Sequence, residues 1–219
     1  IEDPAFAREA SLWNVKTEDY PQFEKRYMAS KSVPMPFPTD QSWSAEGLTG
    51  RFIPRDDPRG LFVGEHTNCC QHPGGNADSS AWYGQENPKS GFFVIENANK
   101  DIVAQSWTVV TDDGGLIFDN VEAKGLGNQQ GAALSIYKQA AESLAGKFHT
   151  ITMGVSNSDL NVESLPLAAN KTQLLPRDFS GYTDAGMQVL LASSEQAAPK
   201  PGPRPIVRGA LSLDKPIMT

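Results

Sequence analysis

The stretch EHTNCCQHPGG, residues 65–75, contains both cysteines of the chain and two of its three histidines. Thiolate and imidazole groups bind zinc, and a thiol beside an imidazole can also act as a nucleophile, so both chemistries are open. Neighbouring cysteines point to opposite faces of a strand, and no second ligand pair occurs elsewhere, so the spacing fits no zinc motif. A nucleophile also needs an orienting third group, which the sequence does not name. We therefore expect Cys69 and Cys70 to be structural, reduced thiols, and we expect no metal to be bound by them together with His66 and His72.

A second chemical feature is the glycine-rich stretch KGLGNQQGAA, residues 124–133. It follows a predicted strand and begins a predicted helix, and its glycines Gly125, Gly127 and Gly131 allow a tight turn. The unpaired first amides of a helix and the helix dipole attract anions, so the turn suits a phosphate or pyrophosphate. The glycine spacing differs from a dinucleotide-binding fingerprint, and no Lys-Ser or Lys-Thr pair follows as in a P-loop. The alternative is a plain turn at the start of a helix.

The elements that position these residues follow from hydrophobic periodicity. Strands are predicted at 60–65, as an antiparallel meander of three within 91–123, at 149–156 and at 187–193, with a helix at 132–146. A strand, a glycine-rich turn, a helix and another strand form a right-handed crossover, which places one parallel pair in a mixed sheet. We expect strand 116–123 to run parallel to strand 149–156, and to part from it beyond Val121 with free backbone groups.

The two ends of the chain differ from this body. Asp3 as an N-cap predicts a short helix over 3–13, and an apolar stripe predicts a second helix over 20–31. Alternate prolines in APKPGPRPIV, residues 198–207, predict an extended segment with few hydrogen bonds. The expected organisation is a helical and extended arm at 1–50, a body at 51–193 and a proline-rich tail at 194–219.

Composition limits the classes of partner. A formal net charge of −7 argues against nucleic acid and anionic membranes, because binding to either begins with Lys and Arg. No apolar run approaches the span of a bilayer. Adjacent cysteines cannot join distant segments, which favours a reducing compartment such as the cytoplasm, or assembly in a particle. The first residue is Ile1 rather than Met, so we expect processing or an excerpt from a longer chain.

The order of elements and the glycine-rich turn together resemble the GNAT-like superfamily of acyl-CoA-dependent N-acyltransferases, over roughly residues 51–193. In that family, Arg/Gln-x-x-Gly-x-Gly/Ala begins the central helix and binds the coenzyme A pyrophosphate, and the preceding strand is splayed and pairs with the pantetheine arm. The matching stretch here runs from Asn128 to Ala133, with Asn128 in place of the family's Arg or Gln. After Asn157, NVESLPLAANK replaces the family's helix and its tyrosine. The implied fold is α+β, with a mixed, mostly antiparallel sheet around a central crossover helix.

The resemblance also implies roles for single residues. The positions it assigns to the coenzyme are Val121, Ala123, Gly125, Leu126, Gly127, Asn128, Gln129, Gln130, Gly131, Ala132 and Asn157. Glu122 is the candidate base for the acceptor ammonium, with Asp119 in reserve, and Tyr182 is the candidate acid for the leaving thiolate. Two other interpretations stay open: the carboxylates pair with Lys124 or solvent, and Tyr182 is a packing residue.

Two functions of different classes follow. The first is transfer of an acyl group from acetyl-CoA or another acyl-CoA to an amine, with no metal. The second is a catalytically inactive GNAT-like module that serves as an assembly component of a larger particle, such as a virion, or of a processed polyprotein. The second function would use protein partners bound through residues 1–50 and 194–219.

Overall fold

The computed structural model describes residues 3–162, 165, 168 and 172–194. Its helices are α1 Pro4–Leu12, α2 Tyr20–Ser30, α3 Val63–Thr67, α4 Asp78–Glu86 and α5 Gln130–Leu144. Its strands are β1 Trp43–Ala45, β2 Leu48–Phe52, β3 Ser90–Glu96, β4 Ile102–Val110, β5 Leu116–Phe118, β6 Glu122–Ala123, β7 Thr150–Gly154 and β8 Gln188–Ser193. Apart from Ser194, the predicted proline-rich tail lies outside the described residues, as does Pro166.

The strands form one mixed sheet in the order β1-β2-β3-β4-β5-β7-β8, and β6 pairs with β4. Strands β5 and β7 are parallel, with Leu116 opposite Ile151 and Phe118 opposite Met153. Every other pair in the sheet is antiparallel. The predicted mostly antiparallel sheet with one parallel pair is therefore confirmed, since α5 carries the chain from β5 back to a parallel neighbour.

Helix α5 is held on the sheet by one apolar face. Ala133, Ile136 and Tyr137 are fully buried there. The Tyr137 ring lies 4.9 Å from Phe93 and 5.3 Å from Phe118, between ring centroids. Burying one such side chain stabilises the fold by about 1.5–3 kcal/mol, so the packing fixes the helix firmly. Strand β6 pairs with β4 beyond β5, and the chain runs from β6 through residues 124–129 into α5, so the first turn of the helix lies near the carboxyl end of β5.

The prediction of a first strand at 60–65 is wrong. Gly60 ends a 3₁₀ turn, Pro58–Gly60, the next two residues form a turn, and helix α3 begins at Val63. Leu61, Phe62 and Val63 are buried. A short apolar run of this kind does not distinguish a buried strand from a buried helix by periodicity.

The sheet instead begins before the expected body boundary at residue 51. Strands β1 and β2 form a hairpin in which Ala45 is opposite Leu48. Its two turn residues, Glu46 and Gly47, have φ values of 48° and 81°. Positive φ at both central residues is the geometry that matches the twist of a two-residue hairpin. Strand β1 and the first three residues of β2 therefore come from the segment that the sequence assigned to the arm.

The helical part of the arm packs on its own body. Helices α1 and α2 form as predicted, and Asp3 caps α1 by accepting from the amides of Ala5 and Phe6 at 2.9 and 3.0 Å. Phe6 and Tyr27 are buried in a cluster that also contains Phe62. The apolar faces of the two helices are thus used within the chain. Within the described residues, none of the helices combines the length and apolar character needed to traverse a lipid bilayer.

Candidate functional site

The site lies where β5 leaves β7. The parallel pairing ends at Phe118 and Met153, and the chain then turns through 119–121 to β6, which returns to β4. The strands therefore part earlier than the predicted position at Val121. A side chain at Gly154 would overlap the carbonyl of Asp119, so this glycine permits the close approach at which the two strands separate.

Asp159 bridges the gap between the chain that leaves β5 and the chain that leaves β7. The amide of Asp159 donates to the Val121 carbonyl at 2.8 Å, and the Ala123 amide donates to the Asp159 carboxylate at 2.7 Å. The prediction of free backbone groups is therefore wrong for these two groups. Asp159 is exposed, so its contacts lie where water or a ligand can compete for them.

The glycine-rich turn enters α5 through a 3₁₀ turn, Gly127–Gln129. Gly125 and Gly127 have φ values of 84° and 52°, in the left-handed region that favours glycine. Within the described part of the chain, no side chain caps the 3₁₀ turn or the helix that follows. The first amides of this helical segment are thus left without a side-chain partner, as an anion site requires.

The side chains of this turn differ in direction. Leu126 and Ala132 are buried and anchor the turn in the core, so only their backbone groups can face a ligand. Gln129 donates to the carbonyl of Glu46 at 3.0 Å, which ties the turn to the first hairpin. Gly131 is exposed, and a Cβ atom placed on it would meet nothing within 4 Å. Asn128 and Gln130 are also exposed.

A cavity of about 650 Å³ begins at the start of α5. Its lining includes Gln130 of the helix, Asp159 beside the gap, and Val189 of β8. This volume is within the range of small-molecule pockets, about 300–1,000 Å³. Most of the lining residues lie between Val155 and Leu165, after β7.

Glu122 lies in β6, next to Ala123, whose amide donates to Asp159. Its side chain is half-buried and accepts from the Asn120 amide nitrogen at 2.8 Å. Burial raises the pKa of Glu122 above the ordinary value, and the negative charges of Asp159 and Asp184 raise it further. Lys124 does not pair with this carboxylate and donates to Asn68 at 3.1 Å. A carboxylate with a raised pKa is a suitable proton acceptor.

Tyr182 and Asn157 both donate to Asp184, a residue that the sequence analysis did not name as a candidate. The Tyr182 hydroxyl donates to Asp184 Oδ1 at 2.8 Å, and the Asn157 amide nitrogen donates to the same oxygen at 3.0 Å. Tyr182 is 49% exposed, and its hydrogen bond to Asp184 raises its pKa. Since Asp184 also acts on the pKa of Glu122, the two candidate catalytic side chains share one acidic neighbourhood.

Asp119, the reserve base, is fully buried. It accepts from the Thr183 hydroxyl at 2.6 Å, the Asp184 amide at 3.0 Å and the Gln71 side chain at 3.2 Å. Burial raises the pKa of Asp119 to about 6. A carboxyl group with no exposed surface cannot meet a substrate, so Asp119 holds the segment around Asp184 in place.

The buried Asp119 predicts a dependence of stability on pH. A folded-state pKa of about 6, above the ordinary value of 3.8, means that the folded state binds the proton more tightly than the unfolded chain. The stability that this proton provides is complete below about pH 4 and is lost as pH rises through 6. Denaturant unfolding between pH 4 and 7 should therefore show this loss in the unaltered protein and a smaller one in Asp119→Asn. Equal slopes in the two proteins would contradict the assignment.

The cysteine and histidine side chains of 65–75 do not converge on one point. His66 Nε2 lies 3.3 Å from Glu9 of helix α1, and His72 Nδ1 lies 3.2 Å from Glu65. Cys69 and Cys70 are half-buried free thiols. Across the described residues, no group of three or more His, Cys, Asp and Glu side chains is placed to hold a metal ion.

Among the described residues, the sheet is mixed and mostly antiparallel, with one parallel pair beside a crossover helix, as the GNAT-like resemblance implied. A spermidine N-acetyltransferase from Vibrio cholerae, in a substituted form, is similar to 67% of this chain over 95% of its own length, with 16% identity and a TM-score of 0.39. Nourseothricin acetyltransferase is similar to 48% of this chain over 64% of its own length, with 14% identity and a TM-score of 0.29. No protein-family model and no curated protein matches the sequence.

Proposed function

We propose that the chain transfers an acyl group from an acyl-CoA, such as acetyl-CoA, to an amine acceptor. One observation carries the proposal. The half-buried carboxylate of Glu122 lies where β5 and β7 part, and the neighbouring Ala123 is hydrogen-bonded to Asp159, which lines the cavity at the start of α5. A thioester in this gap would have its coenzyme on the α5 side and the base on the other side.

The chain's own groups would bind the acyl-CoA in two places. The backbone amides between Gly125 and Ala132 that no side chain caps would donate to the pyrophosphate oxygens, and Gly131 leaves room for the approach of the pyrophosphate. The backbone of Val121 and Ala123, with Asn157 beyond the gap, would face the pantetheine arm. Asp159 is hydrogen-bonded to the Val121 carbonyl and the Ala123 amide, and both bonds would have to break before the pantetheine arm could bind there.

The proton transfers would involve two side chains. Glu122 would take the proton of the acceptor ammonium, for which its raised pKa is suited. Tyr182 would supply a proton to the departing coenzyme thiolate, and its hydroxyl, which donates to Asp184 at 2.8 Å, would have to turn from Asp184 to the sulfur. The Ala123 amide, once released by Asp159, would be the nearest backbone donor for the thioester carbonyl.

The Asp159 bridge also favours the second candidate function, an inactive assembly module. A gap that is closed by the chain's own hydrogen bonds has less room for a pantetheine arm. On this interpretation, the GNAT-like body would be a scaffold that has lost its ligand, and partners would bind through residues 1–50 and 194–219.

Asp159→Ala separates the two functions. If an acyl-CoA must displace the carboxylate from Ala123, removing it should tighten coenzyme A binding by about three- to tenfold, the equivalent of one net hydrogen bond. Calorimetric titration of the full chain measures this change. Asp40→Ala removes an equally exposed charge and is the control, which should leave the affinity unchanged. An inactive module would bind no coenzyme A in any of the three proteins.

The proposed activity is tested by following the free thiol released from acetyl-CoA in the presence of a panel of primary amines and polyamines. Mass spectrometry of the amine identifies the acylated product. We expect thiol release that depends on an amine. Release without an acylated amine, or no release with any acceptor, would contradict the proposal.

A further inference from the structure

Helix α4 supports the chain segment that leads to Tyr182. At one end of this segment, the Tyr83 hydroxyl donates to Asp178 Oδ1 at 2.9 Å. At the other end, the Ser80 hydroxyl donates to the Tyr182 carbonyl at 2.6 Å. Ser80 and Tyr83 are three residues apart and therefore lie on one face of the helix. One face of α4 thus holds both ends of the segment.

The helix is a firm support because it packs closely on the sheet. A side chain on Gly84 would overlap the ring of Phe92 in β3, so this glycine lets the helix lie directly on the strand. The Tyr83 ring makes an edge contact with Trp107 of β4, with 5.9 Å between the ring centroids. Trp107 and Ser80 are both fully buried. This packing gives the Ser80 hydroxyl a fixed position relative to the sheet.

The backbone on the other sides of Tyr182 is also held. A Cβ atom placed on Gly181 would lie 2.7 Å from the Ser79 hydroxyl oxygen, so glycine at this position permits the close approach to α4. The Thr183 hydroxyl donates at 2.6 Å to Asp119, the residue that follows β5. The Tyr182 backbone is therefore held by α4 through its own carbonyl, and by the carboxyl end of β5 through the next residue.

The Tyr182 side chain has more freedom than its backbone. It is 49% exposed, and its hydroxyl donates to Asp184. To protonate the coenzyme thiolate, the phenol must turn about its own side-chain bonds, and the position of the backbone decides where the hydroxyl then lies. A general acid acts only within hydrogen-bond reach of the leaving atom, and a misplacement of about 1 Å can cost about 100-fold in rate.

We propose, on the basis of the proposed acyltransferase function, that Ser80 is a positioning residue for Tyr182 and acts by holding the Tyr182 carbonyl. Ser80 is fully buried, so it meets neither the acyl-CoA nor the amine. The step that it affects is the transfer of a proton from the Tyr182 oxygen to the coenzyme sulfur as the bond between the sulfur and the acyl carbon breaks. The phenolate that remains regains a proton from water, to which it is exposed.

A double-substitution cycle tests this role in the full chain. Steady-state rates with acetyl-CoA and an amine are measured for Ser80→Ala, Tyr182→Phe and the double variant. We expect Ser80→Ala to lower kcat by about 10- to 100-fold with an unchanged KM for acetyl-CoA. Tyr182→Phe has no proton to position, so adding Ser80→Ala to it should lower kcat by no more than about twofold.

Ser143→Ala is the matched control. Ser143 is an exposed serine of α5 whose hydroxyl donates to the Ala140 carbonyl at 2.9 Å, so the same kind of bond is lost away from the segment. Its kcat and KM should equal those of the unaltered protein. Denaturant unfolding shows whether Ser80→Ala is folded. If it is not, Ser80→Cys, which keeps the size of the side chain with a weaker donor, takes its place in the cycle and should give an intermediate kcat.

The outcomes separate this inference from the proposed function. If the losses caused by the two substitutions multiply in the double variant, Ser80 acts on the structure independently of Tyr182 and the inference is wrong. If either single variant keeps the kcat of the unaltered protein, the inference is also wrong, while acyl transfer itself stands. If the unaltered protein transfers no acyl group to any amine, the proposed function fails and the inference fails with it.

Discussion

Glu122→Gln should reduce the rate of acyl transfer by about 10²–10⁴-fold, the usual contribution of a positioned general base, while coenzyme A still binds. Glutamine keeps the size of the side chain and its acceptor oxygen for Asn120, which now donates at 2.8 Å. Only the ability to take a proton is lost. Steady-state rates with acetyl-CoA and an amine, together with a binding titration of the same variant, measure the two effects separately.

The control for this variant is Glu142→Gln, an exposed glutamate on α5. It makes the same chemical change away from the gap and should leave both rate and binding unchanged. A Glu122→Gln protein that turns over at the rate of the unaltered chain would exclude Glu122 as the base. Loss of coenzyme A binding in Glu122→Gln would instead indicate a structural role for the carboxylate.

Gly131→Val should weaken coenzyme A binding by at least about 100-fold, because a branched side chain would stand where the phosphate approaches the first amides of α5. The site is exposed, and an added Cβ would meet nothing within 4 Å, so the free protein accommodates the change. Glycine is itself unfavourable in a helix by about 1 kcal/mol relative to alanine, so the variant should unfold no more easily than the unaltered protein. Binding is measured by titration, and stability is measured by denaturant unfolding.

Gly146→Val is the matched control for this substitution. Gly146 lies just beyond the other end of the same helix, is exposed, and also has nothing within 4 Å of an added Cβ. Its amide is far from the start of the helix, so coenzyme A binding should persist. Equal affinities in Gly131→Val and the unaltered protein would mean that no phosphate approaches the amides of the turn.

Long elements with clear periodicity could be predicted from the sequence. Helix α5 buries one regular face, so its period shows its type, whereas the strands of the meander within 91–123 are buried at nearly every residue and follow from their apolar runs and the turn residues between them. Short elements could not be predicted in this way. Helix α3 has five residues, too few to display a helical period, and β1 has three. Only the Glu46-Gly47 pair carried a signal, that of a hairpin turn, which the sequence analysis did not use.

Site residues close to one another in sequence could be predicted from local pattern, whereas the distant Asn157 and Tyr182 were named only through the family resemblance. Glu122 follows from its place at the end of a strand, and Asn120 could have been found from it, because residues two apart lie on one face of an extended chain. Gln71, Asp159 and Asp184 come from three distant segments, and each is hydrogen-bonded to the turn after β5. Their contacts with the turn after β5 depend on the parting of β5 and β7, which no local pattern encodes.

A thermal unfolding titration of the full chain with coenzyme A tests the central claim most directly, because a ligand that binds only the folded state must raise its apparent stability. At a concentration of about 100 times the dissociation constant, the gain is about 2.7 kcal/mol, or a rise in Tm of roughly 5–10 °C for a chain of this length. We expect this rise for the unaltered protein and for Gly146→Val, and none for Gly131→Val. An unchanged Tm for the unaltered protein, with coenzyme A and with acetyl-CoA up to about 1 mM, would contradict the acyl-CoA site.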